Sequence, residues 1–461
     1  MRASMSRFHP IDRKTAYLLP PSVDDWLPED HLARFIVEAL EKVDLNGLVR
    51  GYAGRGSAAY HPEVMLSLLV YGYATGVFSS RKIERATYDS VAFRYLAAGS
   101  HPDHDTLATF RRRFLDELAG IFVQVLELAR EMKLLKLGTV CLDGTKLHAN
   151  ASRHSALSHG HIEKLEGQLQ AEVNDLLEQA ENADQADLPD GINLPEELKR
   201  RQDRLAAMAQ AKAKLEARAR ERWAREQAEY QEKVAKRAAR AADTGSKPGG
   251  KPPAPPLAGP RADDQINLTD EESRIMKMAG GGFEQCYNAQ AAVATESMLV
   301  VVPTLTQAGN DKEQVKPMLE RIAALPATLG QVERLLADTG YCSQGNLAAC
   351  EAAAIEPFIA VARQHHHVGW RERCSEPKPL AADARPMERM AHKLKTPAGR
   401  QRYALRKQTV EPVFGIIKSV MGFRQFRLRG LAKVTGEWTL VCLAWNLKRL
   451  AVLRQNSAQW T

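Results

Sequence analysis

Two aspartates each follow a short apolar run, and a glutamate lies in a basic helical segment later in the chain. Asp143 follows the run 140–142, and Asp338 follows the run 335–337. Both runs are typical of buried strands that end at the acid. A carboxylate in that position costs free energy unless a cation or a hydrogen-bond donor meets it, so both acids are candidates for function. An equally common explanation for Asp143 is that it caps a turn made by Gly144.

The third candidate acid, Glu411, is surrounded by cations in the segment 403–418. At about 100° per residue, a helix carries one narrow stripe of side chains there, with Arg406 beside it. The stripe consists of Tyr403, Lys407, Glu411, Phe414 and Lys418. An acid among cations is usually a surface ion pair that adds little stability. The same arrangement also suits phosphate handling at a metal site. Pro412 predicts a kink at 408–412, because it removes a helical hydrogen bond.

Two Asp and one Glu, with no His or Cys at ligand spacing, favour a hard cation. Mg²⁺ or Mn²⁺ takes oxygen ligands and keeps several waters, so three carboxylates can serve two ions. Two ions about 3.5–4 Å apart would activate an attacking hydroxyl and stabilise the departing oxygen of a phosphodiester. The histidines at 365–367 lie in a polar segment and are interpreted as solvated. His148 is interpreted as packing or hydrogen bonding near the strand end.

The order of the elements predicts how Asp143 and Asp338 meet. The first strand, 138–143, is followed by two antiparallel strands, a helix, a strand, a helix and a strand. We therefore predict an α/β domain with a mixed five-stranded sheet, in which the first and fourth strands lie side by side. Both acids then reach one edge of the sheet, where ligand sites gather. The segment 363–400 is predicted to be mostly loop, and 401–453 is predicted to be helical.

An insertion separates the first strand from the rest of this domain. Residues 155–240 have heptad-like apolar spacing and a composition rich in Ala, Glu, Lys and Arg, which predicts an α-helical coiled-coil hairpin. It is read either as an arm for dimerisation or DNA contact, or as a solvated insertion. Residues 241–262 are rich in Pro and Gly and predict a flexible linker. The α/β domain is assigned to 136–154 and 263–461.

Residues 1–135 are predicted to form a separate all-α domain. A buried helix with Pro62 in its first turn ends at Gly76, and Ser79 or Ser80 caps the next helix. A helix, a glycine turn and a capped basic helix form the layout of a helix-turn-helix. A second basic helix follows Asp105, which is taken as its capping acid. The candidate DNA contacts on these helices are Arg81, Lys82, Arg85, Arg111 and Arg112. A plain helical bundle with solvated cations is slightly favoured by this segment alone.

The bulk properties fit a globular protein with a polyanionic partner. The 461 residues carry a net charge of +8 and a pI near 9.1, and 44% of them are hydrophobic. Such a charge is weak support for a nucleic-acid partner. Six scattered cysteines without a C-x-x-C pair argue against a zinc site and a disulfide framework. No apolar run reaches the length of a membrane span, and no signal-peptide core is present, so we expect a cytoplasmic protein.

Four motifs resemble the DDE transposases of bacterial insertion sequences. They are Asp143-Gly-Thr-Lys, Tyr287-Asn-Ala-Gln, Ala337-Asp-Thr-Gly-Tyr and the Y-R-E-K run Tyr403, Arg406, Glu411 and Lys418. The last motif is the most specific. The N-terminal 130 residues are similar to the helical DNA-binding domain that precedes the catalytic domain in one branch of the family. Arg406 lies one residue further from Glu411 than the usual pattern has it, so sharing or replacement of its role by Lys407 is an alternative.

The resemblance implies the fold and the ligands of the catalytic domain. It implies an RNase H-like domain whose metal-binding catalytic residues are Asp143, Asp338 and Glu411, with two Mg²⁺ or Mn²⁺ ions. It implies DNA-phosphate contacts near the cleaved end from Tyr403, Arg406 and Lys418, with Lys407 as the alternative cation. The expected partners are double-stranded DNA, as transposon ends and as target, and a second copy of the chain in a homodimer. The expected location is the bacterial cytoplasm, at the nucleoid.

Three functions are left open at this stage. The first is a transposase that cleaves phosphodiester bonds at transposon ends and joins the 3′-hydroxyl ends to target DNA. The second is a non-catalytic DNA-binding regulator or a decayed copy, which rests on the helix-turn-helix alone. The presence of acids at all three candidate positions counts against decay. The third is a metal-dependent nuclease without strand transfer.

Overall fold

A computed structural model describes most of the chain. The described residues are 22–52, 59–182, 194–246, 249–278, 280–362, 375, 377–381 and 383–458. The histidines at 365–367 and residues 183–193 of the predicted hairpin lie outside them, so the interpretation of these histidines as solvated stays a prediction. No helix in the described ranges is both long enough and apolar enough to cross a membrane.

The described part of the first 135 residues is helical, as predicted. Its helices are α1 (Leu32–Glu41), α2 (Asn46–Arg50), α3 (Pro62–Thr75), α4 (Ser80–Asp89), α5 (Val91–Leu96), α6 (His104–Arg113) and α7 (Glu117–Glu131). Pro62 lies in the first turn of α3, and Gly76 ends that helix in the left-handed conformation, with φ of +85°. The prediction that Asp105 caps α6 is wrong. Asp103 is the cap, because its carboxylate accepts hydrogen bonds from the backbone N–H groups of Asp105 and Thr106.

The second half of the chain is built on a six-stranded mixed sheet. The described ranges contain eight strands, which are β1 (Gly138–His148), β2 (Ala156–Ser158), β3 (Gln265–Asn267), β4 (Arg274–Lys277), β5 (Phe283–Ala294), β6 (Val300–Thr306), β7 (Val332–Ala337) and β8 (Glu356–Ile359). The order in the main sheet is β4-β5-β1-β7-β8, with β6 also paired to β5, while β2 and β3 form a separate ribbon. The predicted count of five strands missed β4, which pairs with the start of β5 on the side away from β1.

The predicted neighbourhood of the first and fourth strands is confirmed. Strands β1 and β7 are parallel, and Leu142 lies opposite Ala337. The prediction that the first strand ends at Asp143 is wrong, because β1 continues to His148 along its antiparallel partner β5. Gly144 therefore makes no turn, and Asp143 lies within the strand at the point where β7 ends.

Seven further helices complete the described structure. They are α8 (His159–Asn182), α9 (Leu194–Thr244), α10 (Val315–Ala323), α11 (Gln344–Ala352), α12 (Pro386–Lys395), α13 (Pro397–Gly415) and α14 (Leu431–Ala458). Helices α8 and α9 run in opposite directions, since Lys212 pairs with Glu166 and Arg201 pairs with Glu172. The loop predicted for 363–400 is wrong over its last third, where α12 and the first turn of α13 form. The predicted linker begins later than expected, because α9 extends to Thr244.

Helix α14 joins the N-terminal helices to the sheet in one hydrophobic core. It packs against α3, α7 and β6, with Trp438 fully buried. Glu437 is also fully buried, and its Oε1 accepts a 2.7 Å hydrogen bond from the hydroxyl of Tyr73 on α3. Its Oε2 accepts from the backbone N–H groups of Arg427 and Leu428. A buried carboxylate is tolerated here because several donors meet it.

Candidate active site at the edge of the sheet

The register of β1 against β7 makes Asp143 and Asp338 neighbours. Each follows one member of the opposed pair Leu142 and Ala337. Oδ1 of Asp143 accepts a 2.8 Å hydrogen bond from the N–H of Gly144, and Oδ1 of Asp338 accepts one of 2.8 Å from the N–H of Gly340. Each carboxylate is thus oriented by the backbone that follows it, at the edge where β7 ends.

Helix α13 brings Glu411 to the same edge. The helix lies against β1, β5 and β7 and buries Val410 and Val413 on the sheet. Arg406 then donates from Nη1 to Oδ2 of Asp143 at 3.0 Å and from Nη2 to Oε1 of Glu411 at 2.8 Å. The guanidinium is 12% exposed, whereas the Glu411 side chain is 47% exposed. Arg406 therefore links an inner acid of the sheet to an outer acid of the helix.

Asp143 has an unusual protonation equilibrium. The pKa of its carboxyl is raised to about 7, chiefly by burial and also by the nearby charges of Asp338 and Asp311, while Arg406 and the N–H of Gly144 oppose the rise. Removal of a carboxylate from water disfavours its charged form, and like charges add to that effect. Additional positive charge beside Asp143 would favour its ionised form.

The other residues of the basic helix divide into inner and outer positions. Tyr403 is half-buried beside Arg406, and burial raises the pKa of its hydroxyl. Lys418 is also half-buried, and its Nζ donates a 3.0 Å hydrogen bond to the carbonyl of Lys146 on β1. Lys407 is exposed. Arg406 therefore contacts two of the acids, whereas Lys407, the predicted alternative to it, points to solvent. The helix runs unbroken through Pro412 to Gly415.

Sequence reasoning missed a fourth acid at this edge. Asp311 lies in the connection between β6 and α10, which begins at Val315. Its Oδ1 accepts hydrogen bonds of 2.7 Å from Nδ2 of Asn288 and 2.6 Å from Nε2 of Gln290. Asn288 and Gln290 are two residues apart on β5, so their side chains lie on the same face of the sheet, and both are buried. The sequence signal that could have indicated a polar site is the pair of amides, two residues apart, in the Tyr287-Asn-Ala-Gln motif.

The donor chemistry of this edge fits a hard cation. Four carboxylates lie at this edge, and carboxylate oxygens are ligands that Mg²⁺ and Mn²⁺ prefer. Within the described residues, however, no three His, Cys, Asp or Glu side chains are arranged as ready ligands of one ion. In this arrangement the guanidinium of Arg406 provides the positive charge between Asp143 and Glu411.

The candidate DNA contacts of the N-terminal helices comprise four exposed residues and one residue that points inward. Arg81, Lys82 and Arg85 on α4 are exposed, and so is Arg112 on α6. Arg111 differs from the expectation of a surface contact. Its guanidinium is turned inward and donates from Nη1 to the hydroxyl of Tyr73 and to the carbonyl of Phe78, both at 3.1 Å.

The fold and the site define a two-part protein, with a helical N-terminal region and an α/β region that gathers acids at one sheet edge. Two known families match these parts. Residues 21–113 match the transposase domain DUF772, and residues 378–451, which include Glu411, match a transposase DDE domain. The two matched segments support the resemblance to insertion-sequence DDE transposases. No curated protein and no solved structure matches it.

Proposed function

We propose that this protein is a transposase that binds the ends of its element, cleaves phosphodiester bonds there and joins the freed 3′-hydroxyl ends to target DNA. The observation that carries the proposal is the meeting of Asp143, Asp338 and Glu411 around Arg406 at one sheet edge. The strand order with β1 between β5 and β7 supports assignment to the RNase H-like class. We also propose a homodimer that acts on double-stranded DNA in the bacterial cytoplasm, at the nucleoid.

The three acids would hold one or two Mg²⁺ or Mn²⁺ ions. Bound divalent ions would lower the pKa of the attacking hydroxyl and stabilise the charge on the leaving oxygen. In the first reaction the oxygen of water bonds to phosphorus, and the 3′ oxygen of the element end leaves and takes up a proton. In the second reaction that 3′ hydroxyl loses its proton and bonds to a target phosphorus, and the 3′ oxygen of the target strand leaves. Asp143, Asp338 and Glu411 would act on the reacting phosphate only through the bound ions, because carboxylates alone repel it.

The cations of α13 would position the DNA backbone. Arg406 bridges Asp143 and Glu411 with one hydrogen bond to each, and a planar guanidinium suits a phosphate equally well. Tyr403 lies beside it, Lys418 extends the basic surface toward β1, and Lys407 adds an outer charge. The exposed cations Arg81, Lys82, Arg85 and Arg112 would contact phosphates further along the duplex. Such contacts fix the register of the DNA and carry little sequence information.

A Mg²⁺-dependent cleavage and joining assay on the DNA ends of the element tests this proposal. Asp143→Asn and Asp338→Asn should each abolish nicking and joining, while Glu313→Gln, an exposed acid nearby, should leave both at the wild-type level. Wild-type nicking by either aspartate variant would overturn the assignment. Nicking by the wild type without any joining would favour the metal-dependent nuclease.

One observation favours a second candidate, a DNA-binding regulator without chemistry. Arg406 already neutralises Asp143 and Glu411, so the edge is partly compensated without any metal. A regulator should bind element ends and show no cleavage with Mg²⁺ or Mn²⁺ at any pH. Under the enzymatic proposal, Mg²⁺ instead competes with the Arg406 contacts and cleavage appears with it.

A further inference from the structure

A segment with exposed arginines lies between α13 and α14. Residues 421–430 bury four apolar side chains and expose three arginines. The buried side chains are Met421, Phe423, Phe426 and Leu428, and the exposed ones are Arg424, Arg427 and Arg429. The apolar side chains hold the backbone on the hydrophobic core, so the arginines stay on its outer side. We call residues 424–429 the arginine segment.

The arginine segment is fixed to the end of β1. The N–H of His148 donates a 3.0 Å hydrogen bond to the carbonyl of Arg424, and the N–H of Phe426 donates one of 2.9 Å to the carbonyl of His148. Strand β5 pairs with His148 on one side, so the arginine segment occupies the other side, on which β7 lies further back along β1. At about 3.3 Å per residue, His148 lies about 17 Å along the strand from Asp143. The arginines therefore follow the candidate site along the same edge.

Two of the guanidinium groups are oriented by backbone carbonyls. Nε of Arg424 donates a 3.0 Å hydrogen bond to the carbonyl of Lys418, and Nε of Arg429 donates one of 2.9 Å to the carbonyl of Asn150. In the described part of the chain no acceptor contacts their Nη groups, so both prongs of each guanidinium are available to a ligand. A planar pair of donors is the geometry that binds a phosphate. Because the groups are already oriented, binding costs less conformational entropy.

The three arginines have no acidic partner among the described residues. Other exposed cations do have one, such as Arg85, whose Nε lies 3.1 Å from Oδ2 of Asp89. The pKa of Lys418 is lowered, chiefly by burial and also by the positive charge of Arg424. Cations gathered without an acid repel one another, and a polyanion relieves that repulsion. A purely solvated role would explain the exposure of these arginines but not the orientation of their guanidinium groups.

The arginine segment also contacts the N-terminal helices. The guanidinium carbon of Arg427 lies 5.9 Å from the centre of the Phe78 ring, and Phe423 packs edge-on against the same ring at 5.3 Å. Phe78 lies in the turn between α3 and α4, two residues before α4 begins. Glu437 accepts hydrogen bonds from the N–H of Arg427 and from the hydroxyl of Tyr73 on α3. The arginine segment therefore extends from the turn before α4 to the edge that carries the candidate site.

We propose that the arginine segment binds the phosphate backbone of duplex DNA between helix α4 and the candidate site. The inference rests on the proposed function, because the partner is the same DNA. The backbone from Arg424 to Arg429 spans at most about 17 Å, so its guanidinium groups can reach more than one phosphate of a strand that rises about 3.4 Å per nucleotide. These arginines are positioning residues, because they hold the duplex and touch no reacting atom. Continuity of positive charge with α4 and Lys418 favours a long polyanion over a small anion.

Duplex binding by the full chain across a salt series, without divalent metal, tests the proposal. Arg427→Gln with Arg429→Gln removes two cations of the segment, and Arg130→Gln with Arg321→Gln removes two exposed arginines of α7 and α10 as a matched control. The slope of log affinity against log salt should become shallower by about 2 for the first variant and stay unchanged for the control. The change should be equal on element ends and on unrelated duplex, because phosphate contacts carry no sequence information. Arg427→Lys with Arg429→Lys, which keeps both charges, should restore the slope.

The outcomes separate this inference from the proposed function. A wild-type slope in the glutamine variant, with cleavage still abolished by Asp143→Asn, overturns the present inference alone. A shallower slope supports the inference even if the wild type cleaves no DNA, in which case the enzymatic function fails. Should the glutamine variant not fold, an arginine-specific dicarbonyl reagent gives the answer on the wild type. Bound duplex should protect Arg424, Arg427 and Arg429 and leave the two control arginines reactive, and equal modification with and without duplex overturns the proposal.

Discussion

Arg406 donates a 3.0 Å hydrogen bond from Nη1 to Oδ2 of Asp143, across 263 residues of sequence. Because the same guanidinium also binds Glu411, it ties α13 to the inner strand of the sheet at the point where the acids gather. The two side chains of the inner contact are only 12% and 16% exposed, so solvent screens this ion pair less than a surface pair. Arg406 is therefore both a structural cation and the group that a bound metal would have to replace.

Removal of Arg406 should destabilise the metal-free protein. Arg406→Ala leaves Asp143 buried without its cation, and breaking a largely buried pair costs about 3 kcal/mol of unfolding free energy. Lys407→Ala, one residue along and exposed, should stay within about 0.5 kcal/mol of the wild type. Denaturation in urea measures both variants. Equal stabilities for the two variants would contradict the inner role of Arg406.

The raised pKa of Asp143 predicts a pH dependence of stability. Its carboxyl has a pKa of about 7 in the fold and about 3.8 in the unfolded chain, so between these values the native state binds the additional proton. Stability from this group is therefore fully present below about pH 4 and is lost as pH rises through 7. The loss amounts to at most about 4 kcal/mol, at 1.36 kcal/mol per pKa unit.

Asp143→Asn removes this titration, and so the metal-free variant should have a flatter stability curve between pH 4 and 8 than the wild type. Urea denaturation at a series of pH values gives both curves. The charged groups that act on Asp143 are Arg406, Asp338 and Asp311, and all three are unchanged in the variant. Parallel curves would mean that Asp143 does not carry the predicted shift.

Gly144→Ala should disturb the candidate site by steric overlap, because it removes no polar group. The new methyl group would lie 2.1 Å from Nε2 of Gln290, whose amide is held by Tyr341 and Asp311. Overpacking of this kind costs about 1–3 kcal/mol, and cleavage should fall with it. Gly120→Ala on α7 is the matched control, because nothing lies within 4 Å of its added Cβ. That variant should keep wild-type activity and gain up to about 1 kcal/mol of helix stability.

Variants of Arg111 and Arg112 should differ in whether they change stability or DNA affinity. Arg111→Ala removes the donor to Tyr73 and Phe78 and should lower the unfolding free energy by about 2 kcal/mol. Arg112→Ala should leave stability unchanged and, if Arg112 contacts a phosphate, reduce the slope of log affinity against log salt by about 1. Thermal unfolding and a salt titration of duplex binding measure the two effects. A reduced salt slope for Arg111→Ala with unchanged stability would reverse this assignment.

Local patterns in the sequence determined most of the elements. The apolar run 335–337 predicted a strand that ends just before Asp338, and β7 ends there. Helical spacing and Pro62 predicted α3, because the first turn of a helix accepts proline. These predictions succeeded because periodicity and turn chemistry are short-range properties. The order of the elements also predicted that β1 and β7 are neighbours, and therefore that Asp143 and Asp338 end close together.

Only the tertiary structure decided which polar groups meet. A helical stripe drawn from sequence grouped Lys407 with Glu411, but packing of Val410 and Val413 on the sheet turned Arg406 to the acids instead. The length of β1 depended on its pairing with β5, and this pairing cannot be predicted from a run of apolar residues. Asp311 was invisible as a site residue because Asn288 and Gln290 reach it from another strand. The sequence determined which acids and amides were available, and long-range packing and hydrogen bonding decided which of them share one edge.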